Sequence, residues 1–215
     1  MRTLAIIFAL SVNLATMTAQ ITVKDVLKSI PNELMPYFND KQRDEIKQFA
    51  NDKDTLEIRN VLNGKTTITT LSQNLAEINL NNNTLTQIKL LPVNNTTKII
   101  CAIKTIKEPI KESVIKFYSA DWQPIKSTFN LPTADNTDSL LALFTQKPDT
   151  MTTERYNELS NCIEPVVMYT DISDKDNSVT LSISIPFTAN DKSDAIKVII
   201  RKKTFKWDGN TFKNC

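Results

Sequence analysis

Histidine is absent from the 215-residue sequence, and glycine occurs only at Gly64 and Gly209. Without imidazole, a Ser-His-Asp site, a Cys-His site and a histidine metal site are all excluded. A phosphate-binding P-loop or a dinucleotide-binding turn needs several glycines within a few positions, so two distant glycines exclude both. We therefore predict no cofactor.

An excess of charge of one sign is also lacking. The 26 Lys and Arg residues stand against 24 Asp and Glu residues, which leaves a net charge of +2. Nucleic-acid binding depends on a strongly basic surface that neutralises phosphates. We therefore expect no nucleic-acid partner.

No metal-ligand spacing stands out in the sequence. The run around Asp174, Asp176 and Ser178 is rich in oxygen donors, but it lacks the glycine at the sixth position of a calcium loop. Position twelve is Ile185, where such a loop carries glutamate. Because Asp, Asn and Ser are also ordinary turn residues, the run predicts a solvated hairpin turn. We predict no metal site.

Residues 1–19 have the composition of a secretory signal peptide. Arg2 precedes an apolar stretch of about a dozen residues, and small residues follow up to Ala19. A membrane span needs about 20 apolar residues, so this stretch is too short to be an anchor. We predict cleavage after Ala19, which leaves a mature chain of residues 20–215 without stable membrane insertion and places it in the periplasm or outside the cell.

Three cysteines are an odd number, so at least one thiol has no partner within the chain. Cys101 lies in the apolar run 99–103, where cysteine is usually a small core residue. Export permits disulfides. Cys162 and Cys215 are therefore the candidate pair, and pairing of Cys215 with a second chain is the alternative.

The N-terminal third has helical periodicity. Thr22 and Asp25 have the spacing of a capping pair before an apolar face, and Pro31 ends that helix. A second helix is predicted from Asp40 to about residue 50. A third is predicted over residues 55–62, ending at Gly64 as a left-handed C-terminal cap.

From residue 65 the period changes toward two, and Thr, Ile, Val and Phe become frequent. The predicted strands are residues 66–71, 75–80, 84–91, 98–106 and 113–118, followed after a partly helical stretch (130–146) and a short helix (about 152–160) by 165–171, 178–187, 197–207 and 211–212. Their short connections predict antiparallel pairing. Asp208 and Gly209 predict a tight turn between the last two strands.

These patterns predict an α+β fold, in which a helical N-terminal segment precedes an antiparallel sheet. A helical element followed by strands occurs twice along the chain. We therefore predict one domain over residues 20–215, with two similar lobes, 20–130 and 131–215, as the alternative.

Aromatic side chains are the candidate binding residues. Trp122, Trp207 and Tyr118 lie on predicted strands or beside turns, where an exposed ring can stack on a sugar or a peptide. The competing interpretation is that these rings belong to the core. The acids Asp121, Glu154, Glu158 and Glu164 form no pair with recognisable glycosidase spacing. We assign no catalytic residue.

Several segments carry a family resemblance: residues 30–38 (IPNELMPYF), 42–44 (QRD), 62–65 (LNGK), 88–91 (IKLL), 117–124 (FYSADWQP) and 206–212 (KWDGNTF). In these the chain resembles uncharacterised exported proteins of Bacteroidales gut and oral bacteria, which are grouped as a domain of unknown function. The resemblance spans nearly the whole mature chain. It implies a source and an exported location, and it implies no catalytic residues.

The functional hypothesis that follows is a non-catalytic exported protein that binds a protein or glycan ligand at the cell envelope, with the sheet as its platform. One alternative is a hydrolase of glycan or peptide that works without histidine, through paired carboxylates or Ser and Lys. Another is a secreted inhibitor or structural subunit that presents an edge strand or a sheet face to a partner protein. The hydrolase requires a cleft with convergent ionisable groups, whereas the binding protein requires only an exposed aromatic or apolar patch.

Overall fold

The computed structural model describes residues 20–49, 55–133 and 137–215. The predicted signal peptide therefore lies outside the described residues. The described part contains five α-helices, α1 (Val23–Leu27), α2 (Asp40–Phe49), α3 (Thr137–Phe144), α4 (Thr153–Asn161) and α5 (Ser193–Ile199), and a short 3-10 segment before α5 (Phe187–Lys192). None of these helices has the length and hydrophobicity that crossing a bilayer requires.

Eleven strands of the described chain form two antiparallel sheets, which supports the predicted α+β class. The first seven strands are β1 (Leu56–Arg59), β2 (Lys65–Leu71), β3 (Leu75–Asn79), β4 (Thr84–Pro92), β5 (Lys98–Ile106), β6 (Glu112–Ser119) and β7 (Pro124–Ile125). The other four are β8 (Met168–Ile172), β9 (Ser178–Ile183), β10 (Lys203–Trp207) and β11 (Phe212–Asn214). The large sheet has the order β1 to β7, and the small sheet has the order β11-β10-β9-β8.

The large sheet is buried on both faces at its centre. Strands β4 and β5 pair over nine residues, from Thr84 opposite Ile106 to Pro92 opposite Lys98. A strand that is covered on both faces reads as a continuous apolar run, and β5 contains such a run in residues 99–103. The large sheet is therefore the middle layer of the molecule.

One core lies on each face of this sheet. The N-terminal core packs α1 and the connector after it against one face, and its buried residues include Val26, Met35, Ile88 and Trp122. The C-terminal core packs the small sheet and α3 to α5 against the other face, and includes Phe117, Phe144 and Trp207. Alternate residues of one strand supply the two cores, as the two-residue period of a strand requires.

Two predicted elements are wrong. The predicted third helix over 55–62 is instead β1, which pairs with β2 around a turn in which Asn60 Oδ1 accepts hydrogen bonds from the N–H groups of Leu62 and Gly64. The left-handed residue of that turn is Asn63, with φ of 60°. The predicted strand over 197–207 begins only at Lys203, because the preceding residues form α5, whose Ile196 and Ile199 enter the C-terminal core.

Several predicted elements are confirmed. The strands predicted between residues 66 and 118 correspond to β2 to β6, and the turn at Asp208 and Gly209 joins β10 to β11. Thr152 accepts a hydrogen bond from the Arg155 N–H at the start of α4, and Asp25 accepts from both the N–H and the hydroxyl of Thr22 at the start of α1.

Candidate functional site

Strand β6 is the last long strand of the large sheet, and the short strand β7 covers only part of its outer edge. On one side β6 pairs with β5 over eight residues, from Glu112 to Ser119. On the other side β7 pairs with Phe117 and Tyr118. In the described part of the chain, no strand pairs with the Glu112–Lys116 portion of that side.

The direction of the free backbone groups follows from the register. Ser119 N–H donates to the carbonyl oxygen of Gln123 at 2.9 Å, so the backbone of Ser119 faces the β7 side. In an antiparallel strand, alternate residues direct both N–H and C=O to the same side, and the β5–β6 register has no interruption. Ile115 and Ser113 therefore direct their backbone groups outward from the sheet edge, as a pairing site for another strand.

The edge of the small sheet approaches the same region. The N–H of Ser184 donates to Val167 O, so the backbone carbonyl of Val167, just before β8, points toward β9. By alternation Thr170 faces away from β9, and its N–H donates to Ser113 Oγ at 3.0 Å. The free edges of β6 and β8 thus come together at Ser113 and separate toward Ile115.

The space that opens there is a groove along β6. A cavity of about 250 Å³ lies between the two edges, with Ile115, Phe117, Leu131, Met168 and Leu181 among its lining residues. A second cavity of about 520 Å³ continues it alongside β7. Both cavities are lined by Ile115, Phe117, Ser127 and Thr128. We call this continuous surface, defined by Ser113, Ile115, Phe117, Ser127 and Thr128, the β6 groove.

The segment opposite β6 is held by aromatic contacts. Phe129 has φ of 49°, an unfavourable left-handed conformation for a bulky side chain, and its carbonyl accepts hydrogen bonds from Phe212 N–H and Thr211 Oγ1. Its ring contacts Phe117 edge to face, with centroids 4.8 Å apart, and Trp207 at 5.2 Å. These contacts hold the segment that ends at Phe129, and its neighbours Ser127 and Thr128 line the groove.

The other face of β6 is polar. Lys116 Nζ lies 2.9 Å from Glu33 Oε1, and the hydroxyl of Tyr118 donates to the same oxygen at 3.1 Å. Hydrogen bonds from Lys116 and Tyr118 hold the pKa of the Glu33 carboxyl below its ordinary value, and burial together with Glu33 raises the pKa of Tyr118 to about 12. Glu33, Lys104 and Lys116 line a cavity of about 390 Å³ on this face. Because Lys116 is already paired with Glu33, the rim offers the ammonium group of Lys104 to an acidic side chain.

The two tryptophans are not at this surface, which corrects their assignment as ligand-stacking residues. Trp122 and Trp207 are 7% and 5% exposed. Their indole N–H groups donate to main-chain carbonyls, Trp122 to Val26 O at 2.9 Å and Trp207 to Pro92 O at 2.6 Å. Both are core residues because their rings fill the N-terminal and C-terminal cores and their polar atoms are satisfied there.

Tyr118 is the predicted binding residue that comes nearest to the groove. Its ring is buried against Trp122, with centroids 5.4 Å apart, so it has no free face for stacking. Its hydroxyl reaches Glu33 at the rim. Sequence analysis missed Ser113 and Ile115, because which edge of a strand stays unpaired depends on a neighbour that ends early. Pro124, which begins β7, is a local signal of such an ending.

All three cysteines are free in the structure. Cys101 is buried, as predicted, and burial raises the pKa of its thiol to about 12. Cys162 Sγ donates to Glu158 O and lies 3.7 Å from Lys192 Nζ. Cys215 Sγ lies near Lys213 O. The predicted Cys162–Cys215 bond is therefore not formed in this structure.

Two of the acids considered for hydrolysis, Glu158 and Asp121, have other partners. Glu158 binds Arg155 at 2.6 Å and Lys192 at 2.8 Å, and these bonds hold its pKa below the ordinary value. Asp121 accepts a hydrogen bond from Ser119 Oγ in the β6–β7 turn. Within residues 20–49, 55–133 and 137–215, no group of three or more Cys, Asp and Glu side chains is placed to hold a metal ion. The predicted hairpin turn between β8 and β9 is present, with Asp176 accepting from Ser178.

Comparisons with known proteins give the chain a family. A family model described as "Protein of unknown function (DUF3256)" matches residues 14–212. A search of curated proteins found no match. Among solved structures, a domain of an uncharacterised protein from Porphyromonas gingivalis W83 is similar with a TM-score of 0.73 and 16% identity, over 89% of this chain and 96% of that chain. These findings confirm the predicted resemblance to an uncharacterised Bacteroidales family, and the structural similarity shows the shared fold.

Proposed function

The chain belongs to the family described as Protein of unknown function (DUF3256), and we propose that it is a non-catalytic module that binds an extended polypeptide by strand addition at β6. The observation that carries this proposal is the outward-facing backbone groups of Ile115, with which no described strand pairs, beside an apolar groove; at Ser113 the same edge already meets Thr170 of β8. A peptide that pairs with these groups gains main-chain hydrogen bonds, and pockets for alternate side chains supply the specificity.

The alternation of β6 defines the ligand. An added strand lies about 4.8 Å from β6 and points successive side chains to opposite faces of the sheet. On one face they meet Phe117, Leu131 and Met168 in the apolar cavity. On the other they meet the ammonium group of Lys104 and the Lys116–Glu33 ion pair. The occupant that fits both is a peptide with apolar residues at alternate positions and acidic residues between them.

The location of this binding is part of the proposal. We propose that residues 1–19 direct export and that the mature chain, a single domain, meets its polypeptide partner at the cell envelope, in the periplasm or outside the cell. The composition of residues 1–19 supports export. We also propose that α1 and α2 form a helical N-terminal segment, and that the two sheets, which lie on either side of residue 130 in the sequence, correspond to two lobes.

Selection of peptides on the mature chain tests the groove. From a library of random displayed heptapeptides, we expect enrichment of sequences with alternating apolar and acidic residues. Titration of the ¹⁵N-labelled protein with one such synthetic peptide is expected to shift the amide signals of Ser113 and Ile115. Enrichment without this alternation, or shifts confined to another surface, would overturn the proposal. Preferential binding of soluble peptidoglycan fragments at the same amides would overturn it in favour of a glycan ligand.

Ile115→Pro separates backbone pairing from side-chain contact. Proline removes the outward N–H, and edge strands tolerate proline where no ladder hydrogen bond is lost. We expect this variant to fold, with an unchanged circular dichroism spectrum, and to bind the selected peptide at least tenfold more weakly. Ile115→Ala is the matched control, since it retains the N–H and loses the side chain. If both variants lose the same affinity, the peptide is not held by strand pairing.

A further inference from the structure

A fourth cavity, away from the β6 groove, lies between the small sheet and the end of α5. It has a volume of about 440 Å³. Its lining residues are Lys111, Tyr169, Ser182, Ile183, Ser184, Ile185, Lys197, Ile200 and Lys202. Three of the nine are lysines, and no acidic residue is among them.

The charges around this cavity leave it positive. Lys111 Nζ binds Asp171 at 2.8 Å and also lies 4.3 Å from the centre of the Tyr169 ring. Lys197 binds Asp194 at 2.7 Å, in a pair whose carboxylate is almost fully exposed to solvent. Lys202 makes no ion pair within the described part of the chain. The cavity therefore has three ammonium groups, and the two carboxylates that pair with them are exposed, so solvent screens their negative charge.

Ser182 supplies the second observation. Its side chain is 1% exposed, and its hydroxyl oxygen has no hydrogen-bond partner among the described residues. Ser184, by contrast, donates its hydroxyl to Lys111 O. A buried hydroxyl without a partner is unfavourable, and because Ser182 lines the cavity, rotation of its side chain toward a ligand oxygen would satisfy it.

We propose that this cavity binds the phosphate group of a small phosphorylated molecule. Lysine ammonium groups bind phosphate oxygens as point charges, and three of them line this cavity. The Ser182 hydroxyl donates to one phosphate oxygen, and Lys111 and Lys202 neutralise the charge. A cavity of this volume exceeds a bare phosphate ion, and the apolar side chains of Ile185 and Ile200 adjoin the remaining space.

Titration of the ¹⁵N-labelled mature chain at constant ionic strength tests the proposal. We expect glucose 6-phosphate and inorganic phosphate to shift the amide signals of Tyr169, Ser182 and Ser184, with the sugar phosphate binding more tightly. Glucose is expected to cause no shift. Binding of glucose equal to that of glucose 6-phosphate, or tighter binding of acetate than of phosphate, would overturn a phosphate site.

Variants assign the contacts. Lys202→Gln and Ser182→Ala are each expected to weaken glucose 6-phosphate binding about tenfold, the usual size for a hydrogen bond to a charged group. Lys175→Gln is the matched control, since it removes an equal charge from the exposed β8–β9 turn and is expected to leave binding unchanged. An equal loss in Lys175→Gln, or no loss in Ser182→Ala, would show non-specific attraction and overturn the site.

A further experiment distinguishes a lipid headgroup from a soluble phosphorylated ligand. Co-sedimentation with phosphatidylcholine vesicles is compared with and without phosphatidic acid. Binding to phosphatidic acid vesicles that Lys202→Gln abolishes identifies a lipid headgroup as the phosphate donor, and binding to glucose 6-phosphate alone identifies a soluble ligand. Ile115→Pro leaves this cavity intact, so failure of the β6 groove and failure of the phosphate site are separately visible.

Discussion

The two cores of this protein lie on opposite faces of one sheet and are closed in different ways. The C-terminal core is covered by a second sheet and three helices, and its side chains include an aromatic group in which Phe117, Phe129, Trp207 and Phe212 contact one another. The N-terminal core is covered by the five-residue helix α1, the helix α2 through its Ile46, and the irregular connector between them, and it is mainly aliphatic.

The thinner covering layer is attached to the sheet by hydrogen bonds from side chains and main chain. Val23 N–H donates to Gln73 O, the Trp122 indole donates to Val26 O, and Lys98 Nζ donates to Ile21 O. A short helix has little stability of its own, so packing and these bonds must hold it. One face of this sheet is thus covered by a second layer of regular structure, and the other by a partly irregular segment that specific hydrogen bonds hold in place.

The largest expected effect is in the C-terminal core. Phe144 is fully buried there, and Phe144→Ala leaves a cavity that is expected to lower the free energy of unfolding by about 3–5 kcal/mol. Urea denaturation followed by circular dichroism measures the loss. Val198→Ala, at a residue of α5 that is 52% exposed, is the control and is expected to change stability by less than about 0.5 kcal/mol. Comparable losses in the two variants would mean that the burial pattern is wrong.

A matched pair of tryptophan variants tests whether the cores unfold together. Trp122→Phe and Trp207→Phe each remove one indole hydrogen bond to a main-chain carbonyl, and each is expected to cost about 1–3 kcal/mol. The remaining tryptophan reports on the opposite core by its fluorescence. We expect each variant to show one urea transition by fluorescence and circular dichroism. An earlier transition of Trp122 in Trp207→Phe would show that the N-terminal covering layer unfolds separately.

The smallest expected effect concerns the cap of α1. Hydrogen bonds from Thr22 and Lys28 lower the pKa of Asp25 to about 2, from an ordinary value of 3.8. The folded state therefore favours the carboxylate, so this contribution is present above about pH 4 and is lost as the pH falls toward 2. We expect Asp25→Ala to cost about 0.5–1 kcal/mol at pH 7 and almost nothing at pH 2.

Thermal unfolding across this pH range measures the Asp25 contribution. Asp25→Asn is the control, because it keeps a hydrogen-bond acceptor and does not titrate, so its difference from Asp25→Ala is expected to be independent of pH. A cost of Asp25→Ala that persists unchanged at pH 2 would contradict the assignment of the lowered pKa to this cap.

Local patterns predicted the elements whose period and turn residues agree. Strands β2 to β6 alternate or carry a continuous apolar run, and the Asp208–Gly209 turn has its usual chemistry. The same reasoning failed where tertiary contacts decide. Leu56–Arg59 reads as part of a helix until pairing with β2 makes it a strand, and the β-branched residues 198–200 read as a strand although packing of Ile196 and Ile199 makes them helical.

The candidate site was less predictable than the fold. The tryptophans were predicted as binding residues because aromatic rings occur both in hydrophobic cores and at binding surfaces, and sequence alone does not distinguish the two. The proposed role of Ile115 and Ser113 rests on backbone groups that any residue carries, and on the early end of β7. The proposed role of Ser182 rests on a polar atom that is buried beside lysines distant in the sequence. Each of these properties belongs to the assembled surface.

The strand order of the large sheet also bears on how the chain is assembled. Its seven strands pair in chain order, so each strand pairs with the strand that precedes it in the sequence. Every strand pair therefore forms over a short loop, which favours fast folding. Growth in this direction stops at β7, which adds two residues and leaves most of β6 uncovered. The β6 groove thus lies at the end of the sheet, and a bound peptide would be an eighth strand, which none of the described residues supplies.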